Sequence, residues 1–437
     1  MGEDETTSEN IGAYATSFPS MMSLKMTYSL QRSIKTGISV LRPWWNNNGT
    51  VLLRIAVALL TLAAIVWMGY EFWRLLWEST PIWRSSPEGA VDLKIRYREL
   101  HDWFSGSFVQ SPYPPATFVI LWPLLGWLSL TASRWLWAIS TIFALGGLIY
   151  LIVRESTADT ALERAFVGLI PLSMYATGAT IGNGQMIVHI LPLLVFGLLL
   201  LYRRQRHLYR DLLAAALLLV TLVKPSISVP FFWIVLFVPG RLRPILLVML
   251  GYIALTLFSA SFQETRLSSL IHNWLENASR VAMGGGHANL HVWLTALGLE
   301  ELILPASFFV LLALGLWVYR HRNRDIWLLM SVSAIVARFW AKHWWFDDLL
   351  ILLPMIALFR IAKQSPSTDS RGVLAGLLLS ITVLLMLAPG GLFLFPPPWN
   401  MLYMSLQTIV WIVVLIFLLD QSGRQQGKRP MLYWLMR

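Results

Sequence analysis

Long apolar runs, separated by short polar connections, dominate the chain between residues 51 and 420. Many of these runs approach the length of about 20 residues that an α-helix needs to cross the hydrocarbon core of a bilayer. The pattern predicts an all-α, polytopic membrane protein with about twelve transmembrane helices. The predicted crossings are 51–77, 135–153, 162–178, 186–202, 212–223, 227–238, 245–260, 302–319, 326–337, 345–359, 373–388 and 401–419.

The composition of the chain agrees with this class. Of its 437 residues, 56% are hydrophobic and 13% are charged, and the mean hydropathy is +0.61. The net charge is +11, and the basic residues cluster in short connections beside the apolar runs, which indicates cytoplasmic loops and argues against nucleic-acid binding. The chain contains no cysteine, which excludes disulfides and cysteine-based metal or nucleophile chemistry.

The basic clusters also predict the orientation and the domain organisation. Residues 1–50 are polar at their start and have no early apolar core, so we expect a cytoplasmic N-terminal tail without a cleaved signal peptide. The transmembrane domain, 51–420, is followed by a basic cytoplasmic tail, 421–437. The two longest outer loops are then 78–134 and 261–301, and the chemically rich stretches fall on the outer side.

One apolar run conflicts with this orientation. If residues 116–130 crossed the membrane, the basic clusters that follow would lie outside. We therefore interpret this run as a helix lying in or dipping into the outer interface, with Pro123 bending it and Trp122 and Trp127 anchoring it. The alternative is a plain crossing, with one of the short runs around Lys224 not crossing.

The first outer loop contains the most polar candidate site. A helix from about Asp92 would place Asp92 and Arg96 one turn apart, on a face adjoining an apolar stripe. That stripe consists of Leu93, Tyr97, Leu100 and Phe104. Gly106 and the Ser-Pro-Tyr-Pro-Pro corner around Tyr113 would end the helix. The pattern predicts a carboxylate fixed beside an apolar wall, and the alternative is a solvated loop with an ion pair.

Cations at the outer ends of the crossings are further candidates. Lys224 follows an apolar run and precedes a proline, so it is either a functional intramembrane cation or one that snorkels to the interface. Arg338, Lys342 and His343 lie in an aromatic segment that suits phosphate binding, or they serve as interfacial anchors.

Uncharged and acidic residues complete the set. Gln185 can bond a substrate or cap a turn, and Asp347 and Asp348 can be substrate ligands or acids favoured at a helix N-terminus. The outer stretch from Gly284 to His291 is flexible enough to cover a substrate. A metal site formed by its two histidines, His287 and His291, lacks a third ligand at a telling spacing.

Taken in chain order, these features resemble the GT-C superfamily of polyprenyl-phosphate-sugar glycosyltransferases, most closely glycosyltransferase family 87, which includes mannosyl- and arabinofuranosyltransferases. The features are an outer Asp after the first crossing, a Pro-Tyr-Pro-Pro corner, a Gly-Gln pair, a Lys-Pro corner and a Trp-His cluster, within 92–353. The resemblance implies a GT-C fold with extracytoplasmic juxtamembrane helices in the first outer loop. This sequence departs from the family pattern beside His343. The family often has a further polar or histidine residue there, whereas here Lys342 and Trp344 flank the histidine.

By this resemblance we expect an integral protein of the bacterial inner membrane that builds a cell-envelope glycan. It would transfer mannose, or another pentose or hexose, from a polyprenyl monophosphate donor to a lipid-linked or glycan acceptor at the extracytoplasmic face. Asp92 would be the catalytic base, and Lys224, His343 and Arg338 would bind the donor phosphate. Expected substrate contacts are Arg96, Tyr113, Gln185, His287, Asn289 and Asp347.

The family likeness also implies inversion at the anomeric carbon and no metal or other cofactor. No nucleotide-binding loop is present, in agreement with a lipid-linked donor. Two alternatives remain: a transporter or flippase for a polyprenyl-linked glycan, in which cations line a path, and a polymerase or ligase that uses a diphosphate donor. The sequence does not specify the sugar, the acceptor or the oligomeric state.

Overall fold

The computed structural model describes residues 18–77, 89–107, 109–202, 207–283, 289–366 and 369–424, with side chains described from residue 48 onward. Within these ranges the regular elements are all helices, which confirms the predicted all-α class. The α-helices are α1 (Phe18–Trp77), α2 (Val91–Phe104), α3 (Ala116–Leu125), α4 (Leu130–Glu155), α5 (Ala161–Ser173), α6 (Tyr175–Asn183), α7 (Ile187–Tyr202), α8 (Leu208–Thr221), α9 (Pro225–Ser228), α10 (Phe232–Phe237), α11 (Arg243–Ala260), α12 (Leu267–Met283), α13 (Leu290–Ala296), α14 (Ile303–His321), α15 (Ile326–Trp340), α16 (Leu352–Gln364), α17 (Ser370–Met386) and α18 (Trp399–Arg424). Short 3-10 helices span Val229–Phe231, Glu300–Leu302, Trp345–Ile351 and Gly391–Leu394.

Five described helical segments are long and apolar enough to cross a membrane. They are Asn48–Trp77, Leu130–Glu155, Arg243–Ala260, Glu300–His321 and Trp399–Gly423. The pair α6 and α7 also passes the same test when taken together, with a bend of 117° between the two helices. Several of the predicted crossings correspond to shorter helices, such as α8 and α15, so the count of about twelve stays a prediction.

Large apolar side chains cover the outside of these long helices. Phe143 of α4 is 77% exposed and Leu304 of α14 is 80% exposed. In contrast, α7, α15 and α16 are buried along most of their length. A bundle with a closed centre and an apolar outer surface is suited to a bilayer, where lipid covers that surface.

The predicted interfacial run is divided between two helices. Helix α3 has ten residues with Pro123 inside it, and α4 begins only after the turn that contains Trp127. At about 1.5 Å per residue, α3 is roughly half as long as the hydrocarbon core is thick. Its length therefore agrees with a helix that does not cross, although the predicted run of 116–130 was too long. The Trp127 ring is 68% exposed.

Helix α1 begins at Phe18, inside the segment predicted to be a cytoplasmic tail. The start of this helix therefore does not mark a boundary near residue 50 between a tail and a membrane domain. Residues 1–17 and 425–437, which contain the rest of the two predicted tails, lie outside the described residues.

Two basic residues of a connection predicted to be cytoplasmic pair with acids at one end of the bundle. Arg360 at the end of α16 pairs with Asp325 at the start of α15 (2.9 Å), and Lys363 pairs with Glu163 at the start of α5 (2.6 Å). The other ends of α15 and α16 adjoin the segment 341–351, where several candidate site residues lie. The candidate site and these two basic residues are thus at opposite ends of the same helices.

Candidate active site

The break between α6 and α7 forms the first wall of the site. Gly184 ends α6 in the left-handed conformation (φ +70°), and a Cβ atom there would lie 2.5 Å from the Leu93 Cβ. Glycine thus allows both the turn and the close approach of α2. The backbone amide of the next residue, Gln185, donates to the Thr180 carbonyl (2.8 Å), and its side chain is buried.

Helix α2 packs across this break. The Ala90 amide, just before α2, donates to the Gly182 carbonyl (2.8 Å), which fixes the start of the helix beside Gln185. At the other end of α2, Trp103 Nε1 donates to the Ser259 carbonyl (3.0 Å). The predicted apolar stripe is confirmed, because Leu93 and Leu100 are fully buried and Tyr97 and Phe104 pack against the core.

The Asp92 carboxylate lies in the first turn of α2. The Gln185 side-chain amide donates a hydrogen bond to it, and Arg96, Lys224 and Asp347 act on it through their charges. Burial raises the pKa of Asp92, while the Gln185 bond and the nearby cations oppose that rise. Asp92 and Gln185, which the sequence predicts as a catalytic and a substrate-binding residue, thus lie next to each other.

Arg96 forms its ion pair with Glu99 and not with Asp92. Its guanidinium also donates to the Ser111 hydroxyl (3.0 Å) and lies 4.3 Å from the centre of the Tyr113 ring. It therefore holds α2 to the Pro-Tyr-Pro-Pro corner, and places Tyr113 close to the charged groups around Asp92.

Lys224 occupies a corner between α8 and α9, and its ammonium points inward. Nζ lies 2.6 Å from Asp347 Oδ1 and 5.2 Å from the centre of the Phe346 ring. Two hydrogen bonds fix the backbone of the corner: Thr117 donates to the Val223 carbonyl (3.0 Å) and Trp340 to the Ser226 carbonyl (2.9 Å). With 13% of its side chain exposed, Lys224 is an inward, paired cation and does not snorkel.

Asp347 also accepts a hydrogen bond from the Trp344 amide (3.1 Å), which caps the 3-10 helix Trp345–Ile351. Asp347 therefore acts at a helix N-terminus, as one interpretation of it expected, and it also pairs with Lys224, while its role as a substrate ligand stays a prediction. The neighbouring Asp348 accepts from the Arg338 guanidinium and from the Tyr175 hydroxyl.

His343 is fully buried beside this cluster. Its Nδ1 lies 2.8 Å from the Lys342 carbonyl, and because a carbonyl only accepts, Nδ1 carries the proton. Nε2 is buried, and no described residue forms a hydrogen bond with it. Burial, together with the charges of Arg338 and Lys224, lowers the pKa of His343 to about 3, although Asp347 opposes this shift.

The model of glycosyltransferase family 87 matches residues 112–343, more than half of the chain. The chain belongs to glycosyltransferase family 87. The match contains Tyr113, Gln185, Lys224 and His343, whereas Asp92 lies before it. No curated protein and no solved structure matches the chain.

In this family 87 glycosyltransferase the side chains of two further predicted residues are bound to other groups of the protein. The Asn289 side chain is buried and caps α13 by accepting from the Val292 amide (3.1 Å), and Arg338 is bound to Asp348. His287 lies outside the described residues. Among the described residues, no group of three or more His, Cys, Asp or Glu side chains is arranged to hold a metal ion.

Two residues that the sequence did not predict, Tyr175 and Gln407, support the site through Asp348. Tyr175 bonds to Asp348, and Gln407 Nε2 donates to the Tyr175 hydroxyl (3.0 Å). The local sequence carries no signal for either contact, because the partners are 173 and 232 residues apart.

Proposed function

We propose that this glycosyltransferase moves a sugar from a polyprenyl monophosphate donor to a lipid-linked or glycan acceptor, with Asp92 as the general base. The observation that carries the proposal is the juxtaposition of the Asp92 carboxylate, held by Gln185, with the inward-facing ammonium of Lys224. A displacement at an anomeric carbon needs both groups. One accepts the proton of the attacking hydroxyl, and the other stabilises the phosphate that leaves.

Lys224 is suited to the donor phosphate because its ammonium has spare donors. An ammonium donates three hydrogen bonds, and among the described residues Asp347 is the one acceptor of a hydrogen bond from Lys224 Nζ. Asp347 would balance the charge of Lys224 before the donor arrives. A phosphate oxygen would then accept a hydrogen bond from the Lys224 ammonium, which Asp347 already orients.

His343 would bind the phosphate together with a proton. With Nδ1–H bound to the Lys342 carbonyl, a neutral His343 presents only a lone pair at Nε2. It can therefore bond to a phosphate oxygen only if that oxygen carries a proton or if the ring takes one up. The anionic phosphate would favour uptake, because a nearby negative charge stabilises the imidazolium. Arg338 would contribute indirectly to phosphate binding, because its ion pair with Asp348 fixes the segment that carries Asp347.

The proposed topology places this chemistry at the extracytoplasmic face. The support is the clustering of Arg360 and Lys363 at the opposite end of the bundle, since basic loops are retained in the cytoplasm. About twelve crossings result if helices such as α8, α15 and α17 each cross, together with the long ones. Mannose, or another pentose or hexose, is the proposed sugar on family likeness.

The test is a transfer assay with the purified full-length protein in lipid nanodiscs. Polyprenyl-phosphate mannose, glucose and arabinofuranose are each incubated with a membrane-glycolipid fraction, and released polyprenyl phosphate and labelled glycan are measured. Asp92→Asn should reduce transfer by about 10²–10⁴-fold. The control is Asp102→Asn on the same helix, where the side chain is exposed. Transfer from a nucleotide sugar without polyprenyl phosphate release would overturn the proposal, as would full activity of Asp92→Asn.

A further inference from the structure

A buried ion pair lies in the last turns of α1, at the end of that helix nearest α2. Arg74 Nη1 lies 2.6 Å from Glu71 Oε2, and the two side chains are 3% and 0% exposed. Charged side chains in membrane-spanning helices are costly, and where they occur they usually serve a function. Neither residue has a role in the transfer reaction proposed above.

The Arg74 side chain joins this ion pair to the end of α6. Its Nη2 donates a hydrogen bond to Oδ1 of Asn183, the last residue of α6. A Cβ atom at Gly182 would lie 1.9 Å from Glu71 Oε2 and 2.9 Å from Arg74 Cζ, so the pair packs directly against the backbone of α6. A planar guanidinium can bind Glu71 and Asn183 at the same time because its donors form a rigid fork.

The main chain of Arg74 contacts the start of α2. A Cβ atom at Gly89 would lie 1.8 Å from the Arg74 carbonyl oxygen, so glycine is required for this close approach. The next residue, Ala90, is fully buried in the left-handed conformation (φ 56°), and its amide donates to the Gly182 carbonyl. A non-glycine residue keeps a positive φ where the surrounding contacts fix it. The chain is thus held between α1 and α6 two residues before Asp92.

We infer that Arg74, paired with Glu71, is a positioning residue that holds Asp92 against Gln185. Arg74 fixes the end of α6 through Asn183, and Gln185 follows that end by two residues. The same residue fixes the start of α2, which carries Asp92 in its first turn. Glu71 balances the buried charge and orients the guanidinium. The inference rests on the proposed function in that Asp92 is the base of that reaction.

The first kinetic test is Arg74→Lys in the full-length protein. This exchange keeps a positive charge beside Glu71 but replaces the guanidinium fork by a single ammonium, which cannot hold both partners in the same way. We expect kcat to fall about tenfold, because Asp92 shifts, and the donor KM to stay unchanged. The acidic limb of kcat/KM should move upward by about one pH unit, the equivalent of one hydrogen bond from Gln185 to the charged carboxylate. An unmoved limb would overturn the inference.

A second variant and a matched control separate positioning from folding. Asn183→Ala removes the acceptor on α6 without changing any charge, so it should reproduce the effects of Arg74→Lys even if that variant fails to fold. The control is Arg241→Lys, which makes the same exchange in the buried ion pair with Asp211 at the start of α8. It should leave kcat and the acidic limb unchanged. Equal limb shifts in Asn183→Ala and in Arg241→Lys would reduce the effect to general destabilisation and overturn the inference.

A double variant tests whether Arg74 acts through Gln185. Gln185→Leu already removes the hydrogen bond to Asp92, so adding Arg74→Lys should move the acidic limb no further than Gln185→Leu alone. Shifts that add in the double variant would mean that Arg74 acts on Asp92 by another route, and the inference would be wrong.

A distance measurement tests the placement of α2 without turnover. The chain has no cysteine, so spin labels can be attached at Arg98→Cys on α2 and at Phe196→Cys on α7, where both side chains are exposed. In nanodiscs, electron–electron resonance should give the same narrow distance for the wild-type background and for Arg241→Lys, and a shifted or broadened one for Arg74→Lys. A distance unchanged by Arg74→Lys would overturn the inference. If Asp92→Asn proves fully active, the proposed base fails, while this distance still decides whether Arg74 places α2.

Discussion

Asp347 and Asp348 are neighbours in the sequence, yet their carboxylates enter two different networks. Asp347 lies 2.6 Å from the Lys224 ammonium in the candidate site, whereas Asp348 is bound by Arg338 and Tyr175 behind it. Both side chains are 1% exposed. The first acid therefore faces the candidate site, and the second holds the segment that carries the first.

Replacing Lys224 should separate its binding role from its structural role. Lys224→Met leaves Asp347 buried without its cation, so we expect a loss of about 3–5 kcal/mol in stability and at least a tenfold rise in donor KM. The double variant Lys224→Met/Asp347→Asn should recover most of the thermal stability but not the donor KM. Recovery of both would show that Lys224 only supports the fold.

Replacing Asp348 should affect stability before substrate binding. Asp348→Ala removes the carboxylate that faces the buried Arg338, and should cost about 3–5 kcal/mol in thermal or denaturant unfolding. Tyr175→Phe removes one hydrogen bond to the same acid and should cost about 1.5–3 kcal/mol. The folded variants should keep the wild-type donor KM. If Asp348→Asn instead changed the donor KM without destabilising the protein, Arg338 would be a direct phosphate ligand.

The pH dependence of transfer should report Asp92. A general base acts when deprotonated, so kcat/KM should fall as the pH is lowered through the pKa of Asp92, which burial raises above 3.8. The Gln185 hydrogen bond stabilises the charged form, so Gln185→Leu should raise this pKa further and move the acidic limb to higher pH. Gln421→Leu, at the opposite end of the bundle, serves as the control. An unmoved limb in Gln185→Leu would remove Asp92 from the role of base.

Gly184 should not tolerate a side chain. Gly184→Ala places a methyl group 2.5 Å from the Leu93 Cβ at a positive φ, so α2 must move and Asp92 with it. We expect at least a tenfold loss of kcat, because small displacements of a catalytic group are costly. Gly147→Ala in α4, where nothing lies within 4 Å, should leave kcat unchanged. Equal kcat values for the two variants would show that the contact between α2 and Gly184 does not position the base.

The topology is open to direct measurement with inserted reporters. A reporter at Asn323 or at the C-terminus should be cytoplasmic, and one at Leu128 or Ser268 should be extracytoplasmic, as the basic clusters predict. Labelling by a membrane-impermeant reagent gives an independent reading of the same sites. A cytoplasmic reading at Leu128 alone would mean that α3 contributes to a crossing.

The sequence predicts the parts of the site that follow a local pattern. The burial of Leu93 and Leu100 follows from helical periodicity, and Gly106 ends the same helix with a positive φ of 82°. The pairing of Lys224 with Asp347 has no local signature, because 123 residues separate them. Arg338 and Asp348 are only ten residues apart, but a chain reversal brings their side chains together, and no helical period predicts that contact.

That distance also has a consequence for how the chain enters the membrane. Lys224 emerges from the ribosome 123 residues before Asp347, so the short segments α8 and α9 on either side of it are synthesised well before the acid that neutralises the lysine. A lysine at the centre of an inserting helix costs about 2.5–3.5 kcal/mol, which is an upper limit for Lys224 at its corner. The nascent chain would therefore hold this corner near the water interface, or against the translocation machinery, until the segment with Asp347 arrives. Membrane insertion of this corner and charge pairing in the candidate site would then be completed in the same step.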